Sequence, residues 1–460
     1  MKEIQDKPHR RFDYHSLADL ADDLKTCGLE LPLMTDTAVL SEPVPIGKGV
    51  APNRLAVQPM EGCDGTTGGS PDSLTLRRYQ RFASGGAGLI WVEATAVVAN
   101  GRANPRQLWL HDQNLPDYRS LVSLIDRESG IKPYKVLQLT HSGRYSRPTD
   151  IPEPQIATAN PWLDKPGQQA VILSDEQLAG LVPAYVRAAE LAYAAGFDAV
   201  DIKACHRYLI NELLSAHTRP GRYGGKLENR TRLLLDIVRA VRAAVPLDIA
   251  VRLNAYDEIP YPHGWGVQPD DHHIPDLTET VWLARQLSGA GVSLLNITGG
   301  NPYYNPHVNR PYDTGPYQPP QHQLYHTVKL LMACREIRNA LLSDKGSAAA
   351  VPVRLIASGL SWLHQFAGQA AAGLIHDGWC DLAGFGRQAF AYPDFARDLL
   401  TTGQMEEQKC CLACGKCSEI MRDGGQSGCV IRDGSTYLPI YRQGRSGKAP
   451  LTGTAVAEHV

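Results

Sequence analysis

Residues 54–62, Arg54-Leu55-Ala56-Val57-Gln58-Pro59-Met60-Glu61-Gly62, decide between two α/β architectures. The opening residues form a short apolar run of strand length, followed at once by a turn. An open doubly wound sheet would place a Gly-rich phosphate loop after its first strand, and Gln58-Pro59-Met60-Glu61-Gly62 is not one. A barrel makes no such demand there. Working outward, similar runs recur at Leu89–Glu93, Val136–Leu139, Ala199–Ile202, Ile249–Leu253, Leu294–Ile297, Val353–Ala357 and Leu382–Phe385. Eight runs separated by helix-length segments predict an α/β fold of the (β/α)8 TIM-barrel class. Parallel strands covered on both faces should read as continuous apolar runs, and these mostly do. The intervening segments read as helices. Ser174-Asp175-Glu176-Gln177 is a capped start to a stretch ending near Gly196. Leu233, Leu234, Ile237, Val238 and Val241 form a stripe with three-to-four spacing.

Three parts follow from this pattern: an N-terminal extension over residues 1–50, the barrel over 51–402, and a cysteine-rich C-terminal extension over 403–460. The first holds an amphipathic stretch around His15–Lys25 and a Pro-rich run, expected to form a lid over the base of the barrel. Residues 299–324 form a long Pro/Tyr/Asn loop after the sixth run; a loop of that length leaving the C-terminal end of a barrel strand is expected to carry function. The 460 residues balance 46 Lys+Arg against 48 Asp+Glu, so no bulk field attracts nucleic acid or an anionic membrane. No apolar run reaches the roughly 18 residues of a membrane span. The opening residues lack the apolar core of a secretory signal, and the expected location is cytoplasmic. Composition leaves the oligomeric state open, a homo-oligomer included.

In a barrel, polar residues at the C-terminal ends of strands carry the chemistry. The third run leads into Gln138-Leu139-Thr140-His141-Ser142-Gly143-Arg144, and the fourth into Lys203-Ala204-Cys205-His206-Arg207-Tyr208. Arg252 sits inside the apolar fifth run and needs an anion or an oxygen acceptor. Thr298-Gly299-Gly300 follows the sixth run, Ser358-Gly359 the seventh, and Gly386-Arg387 the eighth. Glycines after the last two runs expose backbone N–H groups to a phosphate. Together these residues describe a pocket for a phosphorylated planar cofactor and a polar small-molecule substrate.

Four stretches carry a resemblance. Asn53–Met60, Gly88-Leu89-Ile90-Trp91-Val92-Glu93-Ala94-Thr95, Gln138–Arg144, and His206–Ser215 with Arg222–Arg230 resemble, in order, the motifs of the old yellow enzyme family of NADH:flavin oxidoreductases. The resemblance runs over roughly residues 38 to 430. It implies an FMN-dependent enzyme that passes hydride from flavin to an activated C=C bond, with NAD(P)H as the electron donor. It implies Pro59, Met60 and Ala94 along the flavin, Gln138 at its pyrimidine edge, and Arg252 near the negative charge of the reduced ring. Ser358, Gly359, Gly386 and Arg387 would hold the phosphate, with Gly299 and Gly300 and Glu61 also facing the cofactor. Tyr208 would be the proton donor.

Two positions depart from the family pattern. The substrate oxygen is usually held by His-x-x-His or His-x-x-Asn, and here the pair is Lys203-x-x-His206. Lysine is a compact cation suited to an enolate oxygen or a carboxylate, so an anionic substrate is expected; the alternative is that Lys203 pairs with a neighbouring acid. Glu61 stands where the family often has Thr or Cys, and could disfavour reduced flavin or contact substrate. Lys203 also admits a barrel aldolase or lyase acting through a Schiff base, and a non-catalytic electron-transfer subunit is the third reading.

Cys411-x2-Cys414-x2-Cys417-x11-Cys429 has the opening spacing of ferredoxin-type clusters, with a distant fourth thiolate completing the set for [4Fe–4S]. Cys410 is an adjacent spare. Larger family members, similar to 2,4-dienoyl-CoA reductase, carry such a cluster here, with one more residue between the second and third ligands. A structural zinc site and free thiols are the rivals. Those relatives continue into nucleotide-binding domains, whereas no G-x-G-x-x-G follows a strand in this chain. The expected reductant is therefore NAD(P)H acting directly or a separate electron-donor protein.

Overall fold

The computed structural model describes residues 8–167, 169–343 and 352–447. Its centre is a closed, all-parallel barrel. The strands in chain order are a hairpin, β1 (Val44–Ile46) and β2 (Gly49–Ala51), then β3 (Leu55–Val57), β4 (Leu89–Ala96) and β5 (Tyr134–Thr140). A two-residue pair follows, β6 (Gln155–Ile156) and β7 (Val171–Ile172), then β8 (Ala199–Ile202), β9 (Asp248–Asn254), β10 (Leu294–Thr298), β11 (Arg354–Ala357) and β12 (Leu382–Phe385). The barrel closes in the order β3-β4-β5-β8-β9-β10-β11-β12, with β12 returning to β3 through Gly384 opposite Ala56. This is the (β/α)8 barrel that the eight apolar runs predict, with helices such as Leu181–Ala195 and Arg232–Ala244 between strands. The helix after Ser174 begins with the expected capping box, Ser174 with Gln177.

The base of the barrel is sealed by the hairpin β1–β2. Val44, Ile46 and Ala51 pack there with Leu89, Trp91, Tyr134, Ala199 and Leu294, at the N-terminal ends of the strands. The turn is tied to the strands: Lys48 donates its backbone N–H to Asp248 Oδ2 at 2.9 Å, and Tyr134 donates its hydroxyl to the same oxygen at 2.8 Å. Gly47 is required at the turn. Its φ is +52°, and a Cβ would lie 2.1 Å from Asp248 Oδ1. The rest of the N-terminal extension lies elsewhere. Phe12 stacks on His364 with centroids 4.0 Å apart, against the loops that follow β10 and β11.

The C-terminal extension packs across the helix Ser73–Ser84. Ile420, Val430, Tyr437 and Ile440 form a small core with Leu74, in which each buried isoleucine contributes about 1.5–3 kcal/mol. Arg77 and Arg81 both reach Asp433, Arg77 at 2.7 Å. Ser427 donates its N–H to Gly62 O at 2.6 Å, tying the extension to the turn after β3. Residues 1–7 of the stretch read for a secretory signal, and 448–460 of the extension, lie outside the described residues.

Candidate active site

The C-terminal ends of the strands open into one cleft, whose empty space, open solvent included, is about 1110 Å³. Pro59, Met60 and Glu61 enter it after β3; Lys203, His206 and Tyr208 after β8; Arg252 from β9; Ser358 and Gly359 after β11; Gly386 and Arg387 after β12. Residues from 59 to 387 thus converge on one wall because every strand delivers its end to the same rim. Four residues expected there are set back from that wall. Ala94 is fully buried inside β4, its carbonyl accepting from Gln107 Nε2 at 3.2 Å. Gln138 turns its amide to Asp201 Oδ2 at 2.6 Å. Gly299 accepts from Asn309 Nδ2 at 2.9 Å, and Gly300 packs against Val308 and the Asn309 backbone.

The two departures from the family pattern meet each other. Lys203 Nζ lies 3.5 Å from Glu61 Oε1, with the side chains 5% and 15% exposed. Tyr208 donates its hydroxyl to the same Glu61 oxygen at 3.0 Å, and Gln107 Nε2 donates to it at 3.3 Å. Lys203 Nζ also sits 3.5 Å from the centroid of the Tyr208 ring. Burial first, then Glu61 and Tyr303, push the Tyr208 hydroxyl well above its ordinary range, so it is held as a neutral acid. Tyr303, from the loop after β10, reaches Tyr208 at 3.3 Å between hydroxyls and stacks on Tyr145 with centroids 3.8 Å apart.

His206 is fixed in one tautomer. The Gly299 carbonyl can only accept, which assigns the Asn309 amide nitrogen; that nitrogen lies 3.0 Å from His206 Nε2, so Nε2 accepts and Nδ1 carries the proton. Burial, with the nearby charges of Arg252, Lys203 and Arg310, holds the imidazole neutral, well below its ordinary range. The backbone here is strained: His206 and Arg207 have φ of +62° and +61°, in the left-handed region that costs non-glycine residues about 1–2 kcal/mol each. Arg207 offsets that cost through its N–H to Asn211 Oδ1 at 2.7 Å and its guanidinium to Asp257 at 3.1 Å. The turn presenting Lys203, His206 and Tyr208 is therefore set before any ligand arrives.

At the opposite end, Gln58, Ser358 and Asn296 close a ring of hydrogen bonds of 2.7–3.0 Å that fixes the floor between β3, β10 and β11. Arg252 is 8% exposed, its Nε has no hydrogen-bond partner, and burial lowers its basicity. Among the described residues no carboxylate lies within 4 Å of it. A desolvated guanidinium with no carboxylate within 4 Å calls for an oxygen-rich or anionic ligand.

Cys411, Cys414, Cys417 and Cys429 line a second, smaller cavity together with Arg387, and Cys417 and Arg387 face the main cleft as well. Cys410 is not on that wall; its thiol turns to Glu406 O at 3.4 Å. Backbone N–H groups point at two of these sulfurs, Ala413 to Cys411 at 3.4 Å and Arg432 to Cys429 at 3.2 Å. Burial pushes the Cys411 thiol up to about 12. A cation is what would turn these thiols into thiolates.

Comparison with known proteins fits this geometry. The sequence model of the NADH:flavin oxidoreductase / NADH oxidase family matches residues 39–264. An NADPH dehydrogenase of Listeria monocytogenes is 35% identical over 257 residues, 54% of this chain and 69% of that protein. The chain belongs to this family, that of the old yellow enzymes. A metal reductase of Desulforamulus reducens is 27% identical over 82% of the chain, which spans about half, 51%, of that protein. The solved old yellow enzyme homologue from Zymomonas mobilis shares the fold, with a TM-score of 0.61 at 24% identity over 80% of this chain and 94% of that one. As a member of the family the chain is a flavin-dependent oxidoreductase acting on small molecules. No helix among the described residues is long and apolar enough to cross a membrane.

Beyond the family motifs, the cleft gains residues that the motifs do not include. Asn309, Arg310 and Tyr303 come from the loop 299–324, whose length marks it as functional without saying which side chains turn inward. Met421 and Arg422 come from the helix Lys416–Arg422 just after the cysteine run, where only the thiols carry a motif. Arg310 is bound to Ser418 Oγ, and burial with the charges of Arg387 and Arg422 lowers it to about 10.

Proposed function

We propose that this chain reduces an activated C=C bond conjugated to a carbonyl, with Tyr208 as proton donor and Lys203 with His206 holding the substrate oxygen. One observation carries the reading: a neutral, buried phenol, a cation and a neutral imidazole line one cleft from a single pre-set turn, opposite Arg252, whose Nε has no hydrogen-bond partner. Lys203 and the His206 N–H offer two donors to an oxygen on which negative charge develops. Tyr208 then delivers its proton to the neighbouring carbon, and Lys203 over its ring favours the phenolate left behind. Glu61 holds Lys203 and Tyr208 in register rather than facing a ring system.

The residues fit FMN. Arg252 supplies a cation without an acid, and Ser358, Gly359, Gly386 and Arg387 form the corner suited to its phosphate. When bound there, FMN supplies the hydride, drawn from NAD(P)H. The ion pair of Lys203 with Glu61 gives the lysine a charge-holding role in place of the free amine that a Schiff base would need.

We read the cysteine cavity as a site for a [4Fe–4S] cluster rather than for zinc. A tetrahedral zinc site with bonds of about 2.3 Å brings its sulfurs to about 3.8 Å of one another. Among the described residues no three cysteine sulfurs lie mutually within 4.8 Å. The chemistry such a cluster would supply is one-electron exchange with a separate donor protein, and Cys411, Cys414, Cys417 and Cys429 are the residues to hold it.

The test is the visible spectrum of anaerobically purified protein, with FMN, iron and zinc assayed after acid release. Flavin bands with iron support both cofactors, and turnover of a simple enone with NADPH then tests the reaction. Flavin with zinc overturns the cluster, and a colourless protein that FMN does not reconstitute overturns the proposal as a whole.

A further inference from the structure

Beside the cleft lies a further hollow, about 840 Å³ with open solvent included, that the reaction proposed above does not use. It is framed by Arg310, Arg387, Arg422 and Arg445, and it shares Arg310, Arg387, Ser418 and Arg422 with the cleft wall. The charges in it do not cancel. Its two acids, Glu419 and Asp423, are both taken by Arg445, at 2.9 and 3.1 Å. Glu419 also accepts from Tyr441 at 2.7 Å. The other three arginines reach only neutral oxygens: Arg310 the Ser418 hydroxyl, Arg387 the Pro311 carbonyl at 2.7 Å, Arg422 the Pro302 carbonyl at 3.4 Å. Among the described residues no carboxylate lies within 4 Å of any of the three. Four guanidinium groups against two carboxylates leave the hollow with a net positive charge, and the planar forks of the arginines match the oxygens of phosphate.

We propose that this hollow is an anion subsite that receives the phosphorylated tail of the substrate, whose reacting end lies at Tyr208. The proposal rests on the alkene reduction proposed above for the position of the reacting end, but the binding site stands on its own arginines. The hollow adjoins the cleft, since Arg310, Arg387, Ser418 and Arg422 line both. It lies on the extension side of Arg387, whereas Ser358, Gly359 and Gly384 lie on the cleft side only. A phosphate bound at those strand ends would leave Arg310 and Arg422 for a second anion. The site is also built from segments outside the strand motifs, the loop 299–324 and the helix Lys416–Arg422, which suits a determinant of substrate choice.

The test titrates the FMN-loaded enzyme with inorganic pyrophosphate in a calorimeter, in the wild type and in Arg422→Glu, a charge reversal at an exposed residue. The expected result is saturable binding that weakens at least tenfold in Arg422→Glu, with the flavin content retained. Arg445→Gln, which frees Glu419 and Asp423 to face the hollow, should weaken it as well. No saturable binding, or equal binding by wild type and both variants, overturns the proposal. Loss of flavin in Arg422→Glu overturns it too, because the hollow would then belong to the cofactor. A second arm compares kcat/KM for a neutral enone and for the same enone bearing a terminal phosphate. The ratio should favour the phosphorylated compound in the wild type and fall at least tenfold in Arg422→Glu. If the wild type turns over neither compound, the alkene-reduction reading fails, and the calorimetry still decides the anion site.

Discussion

Replacing Lys203 with methionine and Glu61 with glutamine, singly and together, tests whether the two departures from the family pattern form one unit. The separation of 3.5 Å corresponds to an attraction of about 4.7 kcal/mol at an effective dielectric constant of 20. Taking both groups out of water offsets part of that gain, so the net contribution of the pair is smaller. Removing one partner is a different matter. Glu61→Gln leaves a lysine that is 5% exposed, and Lys203→Met leaves a carboxylate that is 15% exposed, each without its counter-charge. Each single change should therefore cost about 3 kcal/mol, the low end of the range for a broken buried pair. The double variant leaves neither charge stranded, and its glutamine still accepts from Tyr208. It should cost no more than either single change. The coupling energy is then at least about 3 kcal/mol, well above the 0.5 kcal/mol within which independent sites add. Urea unfolding of the four flavin-loaded proteins, followed by tryptophan fluorescence, measures it. Additive costs would refute the pairing, and with it the account of why a carboxylate is tolerated beside Tyr208.

Four further outcomes follow from the site. Tyr208→Phe should slow alkene reduction by about 10²–10⁴-fold while flavin reduction by NADPH keeps its rate, and stopped-flow traces of the two half-reactions separate these effects. Iron content after anaerobic purification should collapse in Cys417→Ser and stay at the wild-type level in Cys410→Ser, since the Cys410 thiol faces Glu406; equal loss in both would reverse the ligand assignment. Gly384→Ala places a Cβ 1.8 Å from Gln58 Nε2 and must break the ring of Gln58, Ser358 and Asn296, so flavin retention on gel filtration should drop sharply. His141 is drawn by burial to about 4, below its unfolded value near 6.5, so the folded state binds fewer protons than the unfolded chain between these limits. Its contribution is therefore present above pH 6.5 and lost as pH falls towards 4, at up to about 1.4 kcal/mol per pH unit. Urea midpoints of His141→Gln should fall less steeply over that window than those of the wild type, and parallel slopes would sink the assignment.

The strands were legible where their residues are apolar and misread at their ends where they are not. The runs at Ala199–Ile202 and Leu382–Phe385 match β8 and β12 residue for residue. β4 continues three residues past Glu93 because that buried carboxylate is satisfied by Arg78, Tyr79 and the Gly62 N–H, partners 14 to 31 positions away. β5 starts two residues before Val136 because Lys135 is paired with Asp126 at 2.8 Å, and β9 includes Asp248 because the hairpin turn caps it. At β5 and β9 a charge reads as loop until its partner is known. Site residues divide in the same way. Lys203 and Glu61 stand out one by one in the sequence, but only folding shows that the neighbouring acid expected as an alternative partner of Lys203 is Glu61 itself. The residues set back from the wall, Ala94, Gln138, Gly299 and Gly300, share motifs with residues that do reach it, and motif order says nothing about which side of a strand faces the cleft.

That division has a physical consequence for how the enzyme is built. The side of the cleft proposed for the flavin comes from strand ends, whose positions the barrel hydrogen bonds fix, and these are the stretches in which the family motifs lie. The opposite side is made from Tyr303, Asn309 and Arg310 on a long loop and from Met421 and Arg422 on the extension. The extension is itself anchored to the barrel, through Asp433 to Arg77 and Arg81 and through Ser427 to Gly62. The anchor at Gly62 is the residue next to Glu61. The cysteine-bearing extension and the acid that orients Lys203 and Tyr208 are therefore held by one turn. A change that loosens the extension, such as Asp433→Ala, should then disturb the Lys203–Glu61–Tyr208 geometry as well as the metal content. A binding site assembled from rigid strand ends on one side and docked segments on the other can keep its cofactor chemistry while its substrate side changes.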